Sequence, residues 1–260
     1  SIMNRTDDSR PTALVTGFSS GIGFAYSKYL AEHNWNLELI ARDENKTKKA
    51  YEKLGYKHSR YLLADLSKPE GVNSVYEGIK SPDLIVANAG ITKSGEVGSM
   101  NDHEKKDLFY LLCLGVIELL EKYIPTMKIE KKGRIVIISS IGAITPMPKS
   151  SIYAAAKSGI FSYGQSLSRE LKRDNVNITV SLPGYVKTEA HKRAGLDHLN
   201  EKIPSWMWVD ANQVVKETEM ASIKGKSKVI PGLVYKMVRP FLQMSLANTL
   251  WNRLTKRGGD

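Results

Sequence analysis

From residue 12 to residue 230 the chain alternates short β-rich apolar runs with longer stretches of helical periodicity. No other property of the sequence restricts the fold as much, because strands joined through helices must run parallel and lie in one covered sheet. The runs at 12–16, 36–41, 60–64, 83–87, 134–139, 177–182 and 228–230 read as seven strands. The central ones are Val/Ile/Leu-rich, as strands buried on both faces must be. Helical patterns near 22–32, 43–54, 70–80, 102–126, 151–173 and 211–223 fall between them. The expected fold class is α/β: a doubly wound, seven-stranded parallel sheet with helices on both faces, followed by a C-terminal amphipathic extension.

Composition removes the competing classes. At 260 residues with 42% apolar and 25% charged residues, 20 Gly and only 10 Pro, the chain is long enough for a sizeable core and is neither collagen-like nor disordered. A single cysteine, Cys113, excludes an internal disulfide framework and a thiolate metal cluster, which fits a reducing, cytoplasmic setting. The five histidines show no metal-ligand spacing with carboxylates, so no metal is expected. Basic residues outnumber acidic ones 38 to 27, a formal charge of +11 that favours anionic partners. Residues 213–260 hold nine basic against three acidic residues, yet show no nucleic-acid recognition motif, so nucleic acid is not an expected partner. No stretch reaches the roughly 18 uninterrupted apolar residues of a spanning helix.

In a doubly wound sheet ligands sit outside the C-terminal ends of the strands. The first strand ends in Thr16-Gly17-Phe18-Ser19-Ser20-Gly21-Ile22-Gly23 and runs straight into a helix. Glycines there permit a tight turn and bring backbone and a helix N-terminus close to a pyrophosphate. The second strand ends in Ala41-Arg42-Asp43. An acidic residue at this tip would bind a ribose 2′-hydroxyl, whereas Arg42 suits a 2′-phosphate, so NADP(H) is favoured over NAD(H); Asp43 could instead pair with Arg42. Asp65-Leu66 and Asn88-Ala89-Gly90 follow the third and fourth strands, the latter small enough to pass close to a flat ring or ribose. Ser140 stands at the end of the fifth, and Tyr153 and Lys157 share one face of the next helix. There the ammonium can lower the phenol's pKa and bind ribose hydroxyls while Ser140 approaches the reacting oxygen. The sixth strand breaks at Pro183-Gly184-Tyr185-Val186-Lys187-Thr188.

Together these residues resemble the short-chain dehydrogenase/reductase family over about residues 11–232. The resemblance is specific, because order and spacing agree as well as identity. It implies a Rossmann-type fold, a nicotinamide cofactor and reversible carbonyl–alcohol hydride transfer. Within it Tyr153 is the general acid of reduction, Lys157 its pKa-lowering and ribose-binding partner, and Ser140 the ligand of the substrate oxygen. The cofactor contacts it implies are Gly17, Ser19, Ser20, Gly21, Ile22, Gly23, Arg42, Asp65, Leu66, Asn88, Ala89, Gly90, Tyr153, Lys157, Pro183, Gly184, Val186 and Thr188.

Two departures stand out. Ala87-Asn88 replaces the family's double Asn, and Leu112 occupies the position of a catalytic Asn although Gly115 and Pro125 keep the spacing around it. In the family that Asn holds a water linking the lysine to solvent, so the alternative is a cofactor-binding protein with weak or lost catalysis. Residues 189–209 are expected to form a substrate lid, and Leu196, Leu199, Ile203, Trp206, Met207 and Trp208 suit an apolar or elongated substrate. Residues 1–232 are thus expected to form the catalytic domain and 233–260 a basic amphipathic extension. That extension could lie on an anionic membrane surface or pack against the body or a second subunit, as in a homodimer or homotetramer.

Overall fold

The computed structural model describes residues 8–88, 90, 95–187 and 208–232, together with Met237, Pro240, Thr249, Leu250, Arg253 and Leu254. In chain order the elements are β1 (Thr12–Thr16), α1 (Gly21–Glu32), β2 (Asn36–Ala41), α2 (Glu44–Leu54), β3 (Ser59–Leu63), α3 (Pro69–Gly78), β4 (Leu84–Ala87), α4 (Asp102–Phe109), a π-helical turn (Tyr110–Leu114), α5 (Gly115–Glu130), β5 (Gly133–Ile138), α6 (Ser151–Glu170), β6 (Val176–Ser181), β7 (Tyr185–Lys187), β8 (Trp208–Asp210), α7 (Ala211–Ile223) and β9 (Lys228–Val229).

Seven parallel strands form one sheet in the order β3-β2-β1-β4-β5-β6-β9. The expected architecture is therefore present, and each strand begins and ends within one residue of its sequence-based span. Side chains alternate between the two faces. On β1, Leu14 joins a core layer with Val72, Leu120, Tyr123 and Ile160 from α3, α5 and α6, whereas Ala13 and Val15 join one with Tyr26, Leu30, Ala50 and Val215 from α1, α2 and α7. Burial on both sides explains why β4 is apolar throughout and β1 and β2 are mostly so.

Two features differ from the sequence-based expectation. The single helix expected at 102–126 is three segments, α4, the π turn and α5, and it continues to Glu130 with Pro125 inside. Residues 185–187 and 208–210 form a separate two-stranded parallel ribbon in which Tyr185 pairs with Trp208 and Val186 with Val209. The rest of the expected lid lies outside the described residues. Of the C-terminal extension, Met237 is exposed and Leu254 packs against the core. Among the described residues no helix is long and apolar enough to cross a membrane.

Candidate active site

The strand order reverses direction on either side of β1, so the ends of β1 and β4 open a crevice between them. Thr16 bridges its walls: its Oγ1 accepts from Asn88 N at 2.9 Å, while Asn88 Nδ2 donates to Gly17 O at 3.4 Å. Gly17 and Gly21 take φ values of 65° and 60°, which favour glycine. A Cβ at Gly23 would lie 2.0 Å from Gly17 O and 2.6 Å from Asn88 Nδ2, so only glycine lets α1 enter the turn this closely. Ser20, the N-cap of α1, makes no side-chain capping bond, and the first turn carries no acidic residue. By contrast Asp43 and Asn101 cap α2 and α4 with side-chain bonds. The residues at α1 thus fit an anionic group, with a glycine cradle beneath it and the helix's positive end facing it.

Asp43 accepts from Lys46 N at 2.8 Å and is committed to α2 rather than to Arg42. Arg42, its side chain 75% exposed, instead lies 3.7 Å from Asp65. Such a loose surface pair is cheap to rearrange, which leaves the guanidinium available to an incoming phosphate. Burial works to raise the Asp65 carboxyl, but hydrogen bonds from the Ser67 hydroxyl and amide, with Arg42 and Lys68 nearby, outweigh it and hold Asp65 below the ordinary carboxylate range. Gly71 fixes this loop, because a Cβ there would meet Asp65 O at 1.9 Å. Leu66 is buried in the core, so any contact it makes with a nucleotide runs through its backbone.

Ser140 follows β5 and caps a short 3-10 turn, its Oγ accepting from Gly142 N at 3.1 Å. Its neighbour Ser139 donates to Lys157 O at 3.0 Å and so ties α6 to the end of β5. Lys157 Nζ donates to Ile138 O at 3.4 Å and stands 5.6 Å from the centre of the Tyr153 ring. Burial lowers the Lys157 pKa to about 8. Gly90 approaches both this lysine and Leu112: a Cβ on Gly90 would lie 3.9 Å from Lys157 Nζ and 3.0 Å from Leu112 Cδ2. The turn carrying Leu112 is braced by Tyr110, whose hydroxyl donates to Glu118 and whose ring covers Gly115, where a Cβ would clash at 2.8 Å. Pro183 O accepts from Ile141 N at 3.0 Å, which holds the sixth-strand turn against the Ser140 loop.

Short contacts therefore link the ends of β1 and β4, of β2 and β3, and of β5 and β6. Gly184 and Val186 are half-buried beside this loop, whereas Ala89 and Thr188 lie outside the described residues. Among the described residues no three His, Cys, Asp or Glu side chains converge as metal ligands. Ser67 and Gly71 were missed in the sequence, whereas Thr16 was read only as the first residue of the strand-end motif. A Gly in the first turn of a helix is the signal that could have found Gly71.

A sequence model of the short chain dehydrogenase family matches residues 11–198. The chain is similar to the uncharacterized oxidoreductase YvaG of Bacillus subtilis, with 29% identity over 88% of this chain and 84% of that protein. It is also 31% identical to the 3-oxoacyl-[acyl-carrier-protein] reductase FabG of Escherichia coli, over 68% of this chain and 74% of the relative. Among solved structures, a short-chain dehydrogenase from Sphingobium yanoikuyae in complex with NADPH superposes with a TM-score of 0.78 at 25% identity, covering 96% of this chain and 98% of its own. With seven parallel strands in this order, a glycine turn after the first, and a family match over most of its length, the chain belongs to the short-chain dehydrogenase family of oxidoreductases.

Proposed function

We propose that the chain is an NADP(H)-dependent reductase of ketones, or in reverse a dehydrogenase of secondary alcohols, with Ser140, Tyr153 and Lys157 as its catalytic residues. The observation that carries this reading is the tie between Lys157, the end of β5 and the Tyr153 ring, at the rim of a crevice whose glycine turn fits a dinucleotide. Gly17, Gly21 and Gly23 admit the pyrophosphate against α1, and Arg42 takes the 2′-phosphate. NADPH-bound and carbonyl-reducing relatives support the choice of cofactor.

When bound, the nicotinamide supplies the hydride. The chain does the rest. Ser140 donates its hydroxyl hydrogen to the carbonyl oxygen, and Tyr153 delivers the proton that converts that oxygen to an alcohol. Lys157 stabilises the phenolate left behind and holds ribose hydroxyls. The apolar residues Leu196, Leu199, Ile203, Trp206, Met207 and Trp208 after Thr188 favour an apolar or elongated substrate.

The test is a screen of 3-oxoacyl thioesters and bulky apolar ketones for consumption of NADPH by the purified protein. Turnover of at least one is expected. A second reading, motivated by Leu112, is a nucleotide-binding protein with weak or lost catalysis. It predicts NADPH binding without turnover across the screen, and turnover gained on Leu112→Asn.

A further inference from the structure

Lys157 is an unusual place to keep a charge. It is only 7% exposed, and among the described residues its ammonium, with three protons to donate, meets one backbone carbonyl at a long 3.4 Å. The groups around it are identifiable by element. From α6 the Tyr153 ring faces it at 5.6 Å, and β5 contributes only the Ile138 carbonyl. The π turn contributes Leu112, 2% exposed. The loop after β4 brings Gly90, and the same point above Gly90 lies within 4 Å of both Leu112 Cδ2 and Lys157 Nζ. Among these there is no carboxylate, and burial is the cause that moves the lysine. Leu112 thus supplies carbon on the side where a polar residue could share the charge.

We propose that Leu112 couples nucleotide binding to the uptake of one proton at Lys157, so that the protein binds NADPH in its ammonium form and releases it as the solution turns alkaline. The proposal rests on the cofactor reading above. The balance is simple: a proton moves from solvent to the Lys157 amine, and no covalent bond of the nucleotide changes. Hydroxyl oxygens of a bound ribose accept from the ammonium and favour the charged form, while the free protein holds that form poorly. With a pKa of about 8 in the free protein, the protonated fraction falls steadily above that pH. Only the free state need titrate in this range for the linkage to appear.

The experiment is a fluorescence titration with NADPH from about pH 7 to about pH 9.5, a window in which the 2′-phosphate, with a second pKa of roughly 6, stays fully ionised. Calorimetry near pH 8 in two buffers of different ionisation enthalpy counts the protons taken up. The expected result is a Kd that rises by about 30-fold across the window, with roughly half a proton bound on association near the midpoint. Leu112→Asn should flatten that rise by returning Lys157 toward its ordinary pKa. Lys157→Arg, which cannot lose its proton, should flatten it as well. A wild-type Kd independent of pH, with no proton uptake, would overturn the proposal while leaving the cofactor reading intact. So would a slope unchanged in either variant. Absence of NADPH binding at every pH overturns the cofactor reading and the proposal with it.

Discussion

Arg134, at the start of β5, reaches across to α7 and makes a bidentate pair with Glu219, at 2.6 and 2.9 Å. Its Nη1 also donates to Ser222 Oγ at 2.8 Å, and Tyr26 of α1 donates its hydroxyl to Glu219 Oε1 at 2.9 Å. The Glu219 and Arg134 side chains are 3% and 16% exposed, so this cluster pins α1 and α7 to the sheet in a region that water scarcely reaches. Arg134→Leu leaves the carboxylate buried with no counter-ion. Breaking a buried pair from one side costs about 3–5 kcal/mol, whereas replacing both partners by apolar groups is often close to neutral. For a chain of this size the single substitution should lower Tm by roughly 6–15 °C. Arg134→Leu with Glu219→Leu should lose less than Arg134→Leu alone. Thermal melts followed by circular dichroism at neutral pH measure both. A single-variant loss below about 2 °C, or losses that simply add in the double variant, would show that the cluster is not a coupled buried network.

Other outcomes follow from the crevice. Gly23→Ala drives a methyl group into Gly17 O at 2.0 Å, so the turn must open. If overpacking of about 1–3 kcal/mol falls on the nucleotide-bound turn, NADPH binding should weaken by roughly 5- to 150-fold, read by fluorescence titration. Arg42→Ala removes the proposed phosphate contact. Loss of charge-assisted bonds of about 1.5–3 kcal/mol should weaken NADPH by roughly ten- to a hundredfold while leaving NADH unchanged, so an equal effect on both nucleotides would contradict the role given to Arg42.

The parts legible in the sequence were those written in local patterns. Val/Ile/Leu-rich runs located the central strands, such as β4 and β5, where burial on both faces leaves little room for alternation. Ser140, Tyr153 and Lys157 could be named as candidates in the sequence because each falls at a fixed offset from a strand end. What escaped depends on contacts distant in sequence. The π turn at Tyr110–Leu114 is set by the Tyr110 ring against Gly115 and by the hydroxyl's bond to Glu118, neither of which breaks the apolar periodicity of a long helix. The β7–β8 ribbon joins two strands of three residues, too short to show a period, from either side of the lid segment. Glu219 looked like any solvated residue of α7 until Arg134, 85 positions earlier, was placed beside it. Arg42 was ambiguous between phosphate and Asp43. The helix-capping bond of Asp43 resolves that pairing, and it could be seen only once the loop was in three dimensions.

The central claim is that Tyr153 gives the proton in carbonyl reduction while the glycine turn holds the nucleotide. The most direct test compares wild type with Tyr153→Phe, measuring NADPH affinity by fluorescence and turnover of any substrate found in the screen. The account predicts nucleotide affinity little changed and turnover reduced by about 100- to 10,000-fold, the usual contribution of a positioned general acid. Turnover equal to wild type in a variant that still binds NADPH would contradict it.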